Sequence, residues 1–114
     1  MAIAVVTTKN ALATAYGGAG TYFGLATGSP GSSSTPANEA SGSGYARVAT
    51  VWGTAASSAI TGSACTITAG AATYTYAILC SASSGATQID NAAITSTVLS
   101  ATGQIVLSPV YTQS

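Results

Sequence analysis

The chain has 114 residues, of which 47% are hydrophobic and only 4% charged, and Lys9 and Arg47 balance Glu39 and Asp90 to a net charge of zero. That length suits one domain with a modest core. Two cations cannot neutralise a run of phosphates or hold an anionic lipid surface, so neither nucleic acid nor a membrane is expected as a partner.

Thr, Ser and Gly interrupt every apolar run before it reaches a membrane-spanning length. No positive region precedes the short apolar run at Ala2–Val6, so no signal peptide is read there. A free monomer normally keeps a mixed, charged surface, whereas this one must be Ser, Thr, Gly and Ala. Such a surface fits permanent packing against neighbours, where each buried charge would need a partner. The alternative is a neutral, hydroxyl-rich monomer.

In chain order, Ile3–Val6 reads as extended. Thr7 or Thr8 then caps a helix over residues 9–16, which Gly17-Gly18 stops, with Leu12 and Tyr16 sharing its packed face. Residues 21–26 read as the first core strand. Residues 27–44 form a long Gly/Ser/Pro-rich loop, either a surface excursion or an arm that orders against a neighbouring subunit, with Asn38 and Glu39 anchoring its end. Residues 45–52 alternate and read as a strand, followed by a Gly/Ala/Ser turn over 53–58.

The next stretch predicts two local hairpins. One is closed by a type II′ turn at Gly70-Ala71, so that Ile67 faces Tyr74 and Cys65 faces Tyr76. The other joins 93–99 to 104–110 through 100–103. Between them, Ser81–Asn91 carries turn signals, Asp90-Asn91 among them. The expected fold is mainly β: a compact antiparallel sandwich or small barrel, with one short N-terminal helix and the long 27–44 loop.

The chain contains no histidine, which removes Ser-His-Asp and Cys-His catalysis and the commonest zinc ligand. Glu39 with Asp90 is the one carboxylate pair a glycosidase could use, and Asp90 reads better as a turn residue. In the hairpin register above, Cys65 and Cys80 lie too far apart for a disulfide, so two buried thiols are expected. Glu39 and Arg47, eight residues apart, fit a bidentate pair that pins the loop to the following strand. Tyr45 lies between them. Trp52 either stacks on a sugar or a partner's pocket or fills the core, and Tyr111 is an interface candidate. No cofactor, metal site or enzymatic activity is expected.

The series Thr-Thr-Lys-Asn-Ala-Leu, Tyr22-Phe23-Gly24-Leu25, Ser29-Pro30-Gly31, Ala37-Asn38-Glu39, Ser41-Gly42, Tyr45-Ala46-Arg47 and Trp52-Gly53 resembles a family of small virion proteins of tailed bacteriophages. These are variously tail-fibre, minor tail or capsid decoration proteins, and the first half of the chain carries the resemblance. It implies a non-enzymatic virion protein, assembled in the host cytoplasm, that cements neighbouring major capsid subunits. Its partners would be the major capsid protein and copies of itself, in a possible trimer. The alternative within the same resemblance is a minor tail or tail-fibre protein that binds a host glycan.

Overall fold

A computed structural model describes residues 2–114. It is mainly β, with one helix and antiparallel sheets, and no sheet closes into a barrel. The helix, α1 (Val6–Ala19), starts earlier and ends later than its sequence signals suggest. Val5 stands at the N-cap position and neither Thr7 nor Thr8 caps it. Gly17-Gly18 lies inside the helix because Gly17 faces the core. A Cβ there would sit 3.0 Å from Ile60 Cδ1 and 3.1 Å from Trp52 Cγ. The packed stripe holds Ala13 and Gly17, while Leu12 is exposed.

Strand β1 (Tyr22–Ala26) follows as expected. The strand read over 45–52 shrinks to β2 (Val48–Ala49), which pairs with the start of β1. Alternation fails around it because the chain changes partners. Thr50 N–H donates to Thr21 O at 2.7 Å, and two residues later Trp52 bridges to Gly62. Arg47 and Thr50 are both buried in consequence, although they lie three apart.

From Ala59 onward the chain forms one long antiparallel ribbon, folded back on itself. β3 (Ala59–Thr61) pairs with β8 (Val110–Thr112), β4 (Cys65–Ala69) with β7 (Gly103–Leu107), and β5 (Ala72–Cys80) with β6 (Gln88–Leu99). The partners Ile60↔Tyr111, Ile67↔Ile105, Ala72↔Leu99 and Ile78↔Asn91 run inward to a tip at 81–87. The ribbon creases at 62–64 with 108–109, and again at 70–71 with 100–102.

Neither local hairpin of the sequence reading exists, since β4 does not pair with β5, nor β6 with β7. A type II′ turn needs positive φ at its first central residue, and Gly70 is not among the residues with positive φ. Gly70 is needed for space instead, since a Cβ would come within 2.7 Å of Ser43 Oγ. The tight two-residue turn falls at Ser57-Ser58, with φ of 50° and 68°. There Ala56 and Ala59 exchange both backbone hydrogen bonds at 2.9 Å. Each left-handed serine costs about 1–2 kcal/mol, and Asn10 Oδ1 on α1 holds the turn by accepting Ser58 N–H at 2.8 Å.

The distal half of the ribbon joins the first strands in a sheet ordered β2-β1-β5-β6. One cluster, with Leu25, Cys65, Ile67, Tyr74 and Ile105, packs this sheet against β4 and β7. A second contains Ala26, Ile78 and Cys80, with Tyr22 and Tyr76 against it. Tyr74 and Tyr76 part company where the β5–β6 register slips between them. The two cysteines are buried and free, one in each cluster.

The 27–44 loop folds onto its own chain. Thr27 N–H donates to Asn38 O and Ala40 N–H to Leu25 O, which closes the base of the loop. Its outer part lies along the start of β6. Ser33 O accepts Gln88 Nε2 at 2.7 Å, Ser34 O accepts Gln88 N–H at 2.9 Å, and Gly31 O accepts Asn91 Nδ2 at 2.9 Å. Pro30 is fully buried beneath it.

Candidate functional site

Two places gather the chemistry-bearing side chains. The first is the Glu39–Arg47 pair, where Nε and Nη2 of Arg47 each donate to one carboxylate oxygen at 2.8 Å. The other guanidinium N–H groups reach the ribbon tip, with Nη1 donating to Ala82 O and Thr87 Oγ1 at 3.2 Å and Nη2 to Gly85 O at 3.1 Å. All five donors of the fork therefore have acceptors. The Arg47 side chain is 3% exposed and that of Glu39 20% exposed.

Tyr45 completes this group. Its hydroxyl donates to Glu39 Oε2 at 2.7 Å and accepts Leu25 N–H at 3.1 Å. Gly24 makes room for it, since a Cβ there would collide with the Tyr45 hydroxyl. Burial pushes the Glu39 carboxyl upward, but hydrogen bonds from Arg47 and Tyr45 outweigh it and hold the pKa below its ordinary value. The hydrogen bond to Glu39 raises Arg47 in turn. Burial, then the bond to Glu39, raises the Tyr45 phenol. Asn38, at φ +59°, ties the loop base by donating Nδ2–H to Ser29 O at 3.0 Å. With every Arg47 donor satisfied, the charged pair serves as a structural tie. It joins the 27–44 loop, β1 and the ribbon tip.

The second place is a cleft of about 400 Å³ between β5–β6 and the returning β7–β8 segment. Tyr16 of α1 stands at its wall, stacked on Tyr111 with ring centroids 3.7 Å apart and planes 7° apart. Trp52 meets Tyr16 edge-on at 6.2 Å and Phe23 at 5.9 Å. Its indole N–H donates to Gly20 O at 2.8 Å. Asp90 sits at the mouth, where Oδ2 accepts the Tyr16 hydroxyl at 2.7 Å and Oδ1 accepts Asn91 N–H at 2.8 Å. Burial, and next the bond to Asp90, raises the Tyr16 phenol.

The structure thus brings Glu39, Tyr45 and Arg47 together beside Asn38, and places Trp52 and Tyr111 around Tyr16 at the cleft. One face of Tyr111 is stacked on Tyr16, and Trp52 is half-buried and bonded to backbone. Glu39 and Asp90 line different cavities, so no glycosidase-like pair forms. Asp90 lies within β6 and not in a turn. Sequence reading missed Tyr16 and Asp90 as cleft residues, and nothing in the local pattern links positions 74 apart. Among the described residues, no three metal-ligating side chains cluster and no helix is long and apolar enough to cross a membrane. Comparison with protein-family models, curated proteins and solved structures finds no match for this chain.

Proposed function

We propose that the chain is a non-enzymatic structural subunit of a tailed-phage particle, in the simplest case a decoration protein that cements neighbouring major capsid subunits. The observation that carries this reading is where the charge goes. Glu39 and Arg47 are spent on each other inside the fold, which leaves Lys9 and Asp90 as the only other charged side chains. The outer surface is therefore almost uncharged, and it exposes Val51, Val98, Val106 and Val110. Such a surface favours lasting association over a free monomer. The residue resemblance supplies the kind of particle.

The test is the copy number of this protein relative to the shell protein, by quantitative mass spectrometry of purified particles. Copies of the same order as the shell subunit support cementing. A handful of copies moves the subunit to the tail or a unique vertex, where glycan adhesion becomes the reading to test. Absence from particles refutes the proposal.

A further inference from the structure

We propose that the aromatic cleft receives an extended segment from a second copy of this chain, residues Ala2–Val5, laid between the open edges of β6 and β7. The inference rests on the reading of the chain as an associating structural subunit and names the site that does the associating. β6 ends its four-stranded sheet and β7 pairs only with β4, so each carries one edge without a ladder partner among the described residues. Residues of both strands line the same cleft, between Asp90 and Thr97 on β6 and from Ile105 to Leu107 on β7. An open edge is a template for an added strand, and proteins usually blunt it with charge, proline or cover. Here the 27–44 loop covers only the start of β6, and beyond Asp90 neither edge carries a charge.

Ala2-Ile3-Ala4-Val5 has the matching chemistry. It is uncharged, belongs to no ladder, and leaves Val5 58% exposed. Four extended residues span about 13 Å, and the inward-facing ones would meet the apolar lining supplied by Ile94, Ile105 and Leu107. The segment does not come from the same chain. Tyr16 touches the cleft ten residues after α1 begins, so the helix start lies about 15 Å away along its axis, with Ala2, Ala4 and Val5 exposed there and Ile3 partly buried.

Charge complementarity picks out the same docking. Once Glu39 and Arg47 are paired, Lys9 is a cation with no ion pair among the described residues, and it lies four residues after Val5. Asp90 is the carboxylate at the cleft mouth. A carboxylate offers about four acceptor sites, and the bonds from Tyr16 and Asn91 fill two of them. A segment seated in the cleft brings Lys9 of one copy to Asp90 of the next. The exchange closes as a reciprocal pair or as a ring.

Sedimentation velocity on the purified protein tests this, with circular dichroism melts confirming that each variant folds. Self-association is expected for the natural chain and is expected to vanish when residues 2–5 are removed. Lys9→Asp and Asp90→Lys should each weaken it about fivefold, as one solvent-facing ion pair allows, and K9D/D90K together should restore it. As a second readout, oxidation of a chain carrying Ala4→Cys and Thr95→Cys should give a covalent oligomer, the natural thiols being buried. A monomer at all concentrations, association that survives loss of residues 2–5, or no rescue by the charge swap overturns the inference. A monomer that still enters particles would refute strand exchange and leave the structural role standing. A self-associating chain absent from particles would do the reverse.

Discussion

Replacing Arg47 by methionine keeps most of the side-chain stem and removes the fork. The change strips Glu39 of both its bonds from Arg47 and leaves Ala82 O, Gly85 O and Thr87 Oγ1 without their guanidinium donor. Breaking one side of a buried ion pair costs about 3–5 kcal/mol. A domain of this size shifts by about 4 °C per kcal/mol, so the melting temperature should fall by roughly 12–20 °C. Glu39→Gln should cost less, about 2–3 kcal/mol, because the Glu39 side chain is 20% exposed and water can reach the site. The double variant E39Q/R47M should cost about 1–3 kcal/mol less than the sum of the two. Urea unfolding followed by Trp52 fluorescence measures all three, and additivity within about 0.5 kcal/mol would show the two side chains to be energetically independent.

The same pair sets the acid limb. The Glu39 pKa lies below its ordinary 4.5 in the folded chain, so the unfolded chain takes up the proton first as pH falls. Its contribution to stability is complete above about pH 4.5 and disappears as pH drops through the folded value. In R47M that acid loss should flatten, because burial then opposes the charge with only Tyr45 to support it; an unchanged acid limb in R47M would refute the assignment. Gly17→Ala should destabilise by about 1–2 kcal/mol despite a better helix propensity, since its Cβ meets Ile60 and Trp52. Gly18→Ala, with nothing within 4 Å, should stabilise by about 0.5–1 kcal/mol, and thermal melts of the pair separate contact from propensity. At high pH, the raised phenols of Tyr16 and Tyr45 mean that their contribution is whole below their ordinary value of 10.0 and is lost as pH rises beyond it. Tyr16→Phe should make the fall in urea midpoint above about pH 10 shallower, and an unaltered slope would show that Tyr16 titrates freely.

Several features were legible in the residues alone. In a chain with four charged side chains, a glutamate and an arginine flanking a glycine-rich bend had few other partners, and they meet as a bidentate pair. The first strand and the β-rich class likewise follow from branched and aromatic runs, and the two thiols are free as expected, although the hairpin register behind that expectation does not form. Asn38 and Glu39 at the end of the long loop also sit where its closing bonds are made.

Strand pairing was not legible. Alternation in 65–69 and 72–80 says which residues turn inward, but it does not say whether the strand beside Ile67 carries Tyr74 or Ile105. A local hairpin and a long folded ribbon bury the same side chains, so the pattern is satisfied by both. The choice falls to contacts distant in sequence. Ser43 occupies the space over Gly70, Pro109 accepts from Gly62 at the crease, and Arg47 holds the tip at Ala82, Gly85 and Thr87. Tyr16 and Asp90 belong to the same class, since only the folded ribbon brings residues 74 apart to 2.7 Å. Composition and spacing determined what this chain buries and where its charge is spent. Which strand lies beside which, and therefore where a cleft opens, was decided by tertiary packing, because hydrophobic burial is non-directional and pairing is settled by the few positions where backbones must approach or turn.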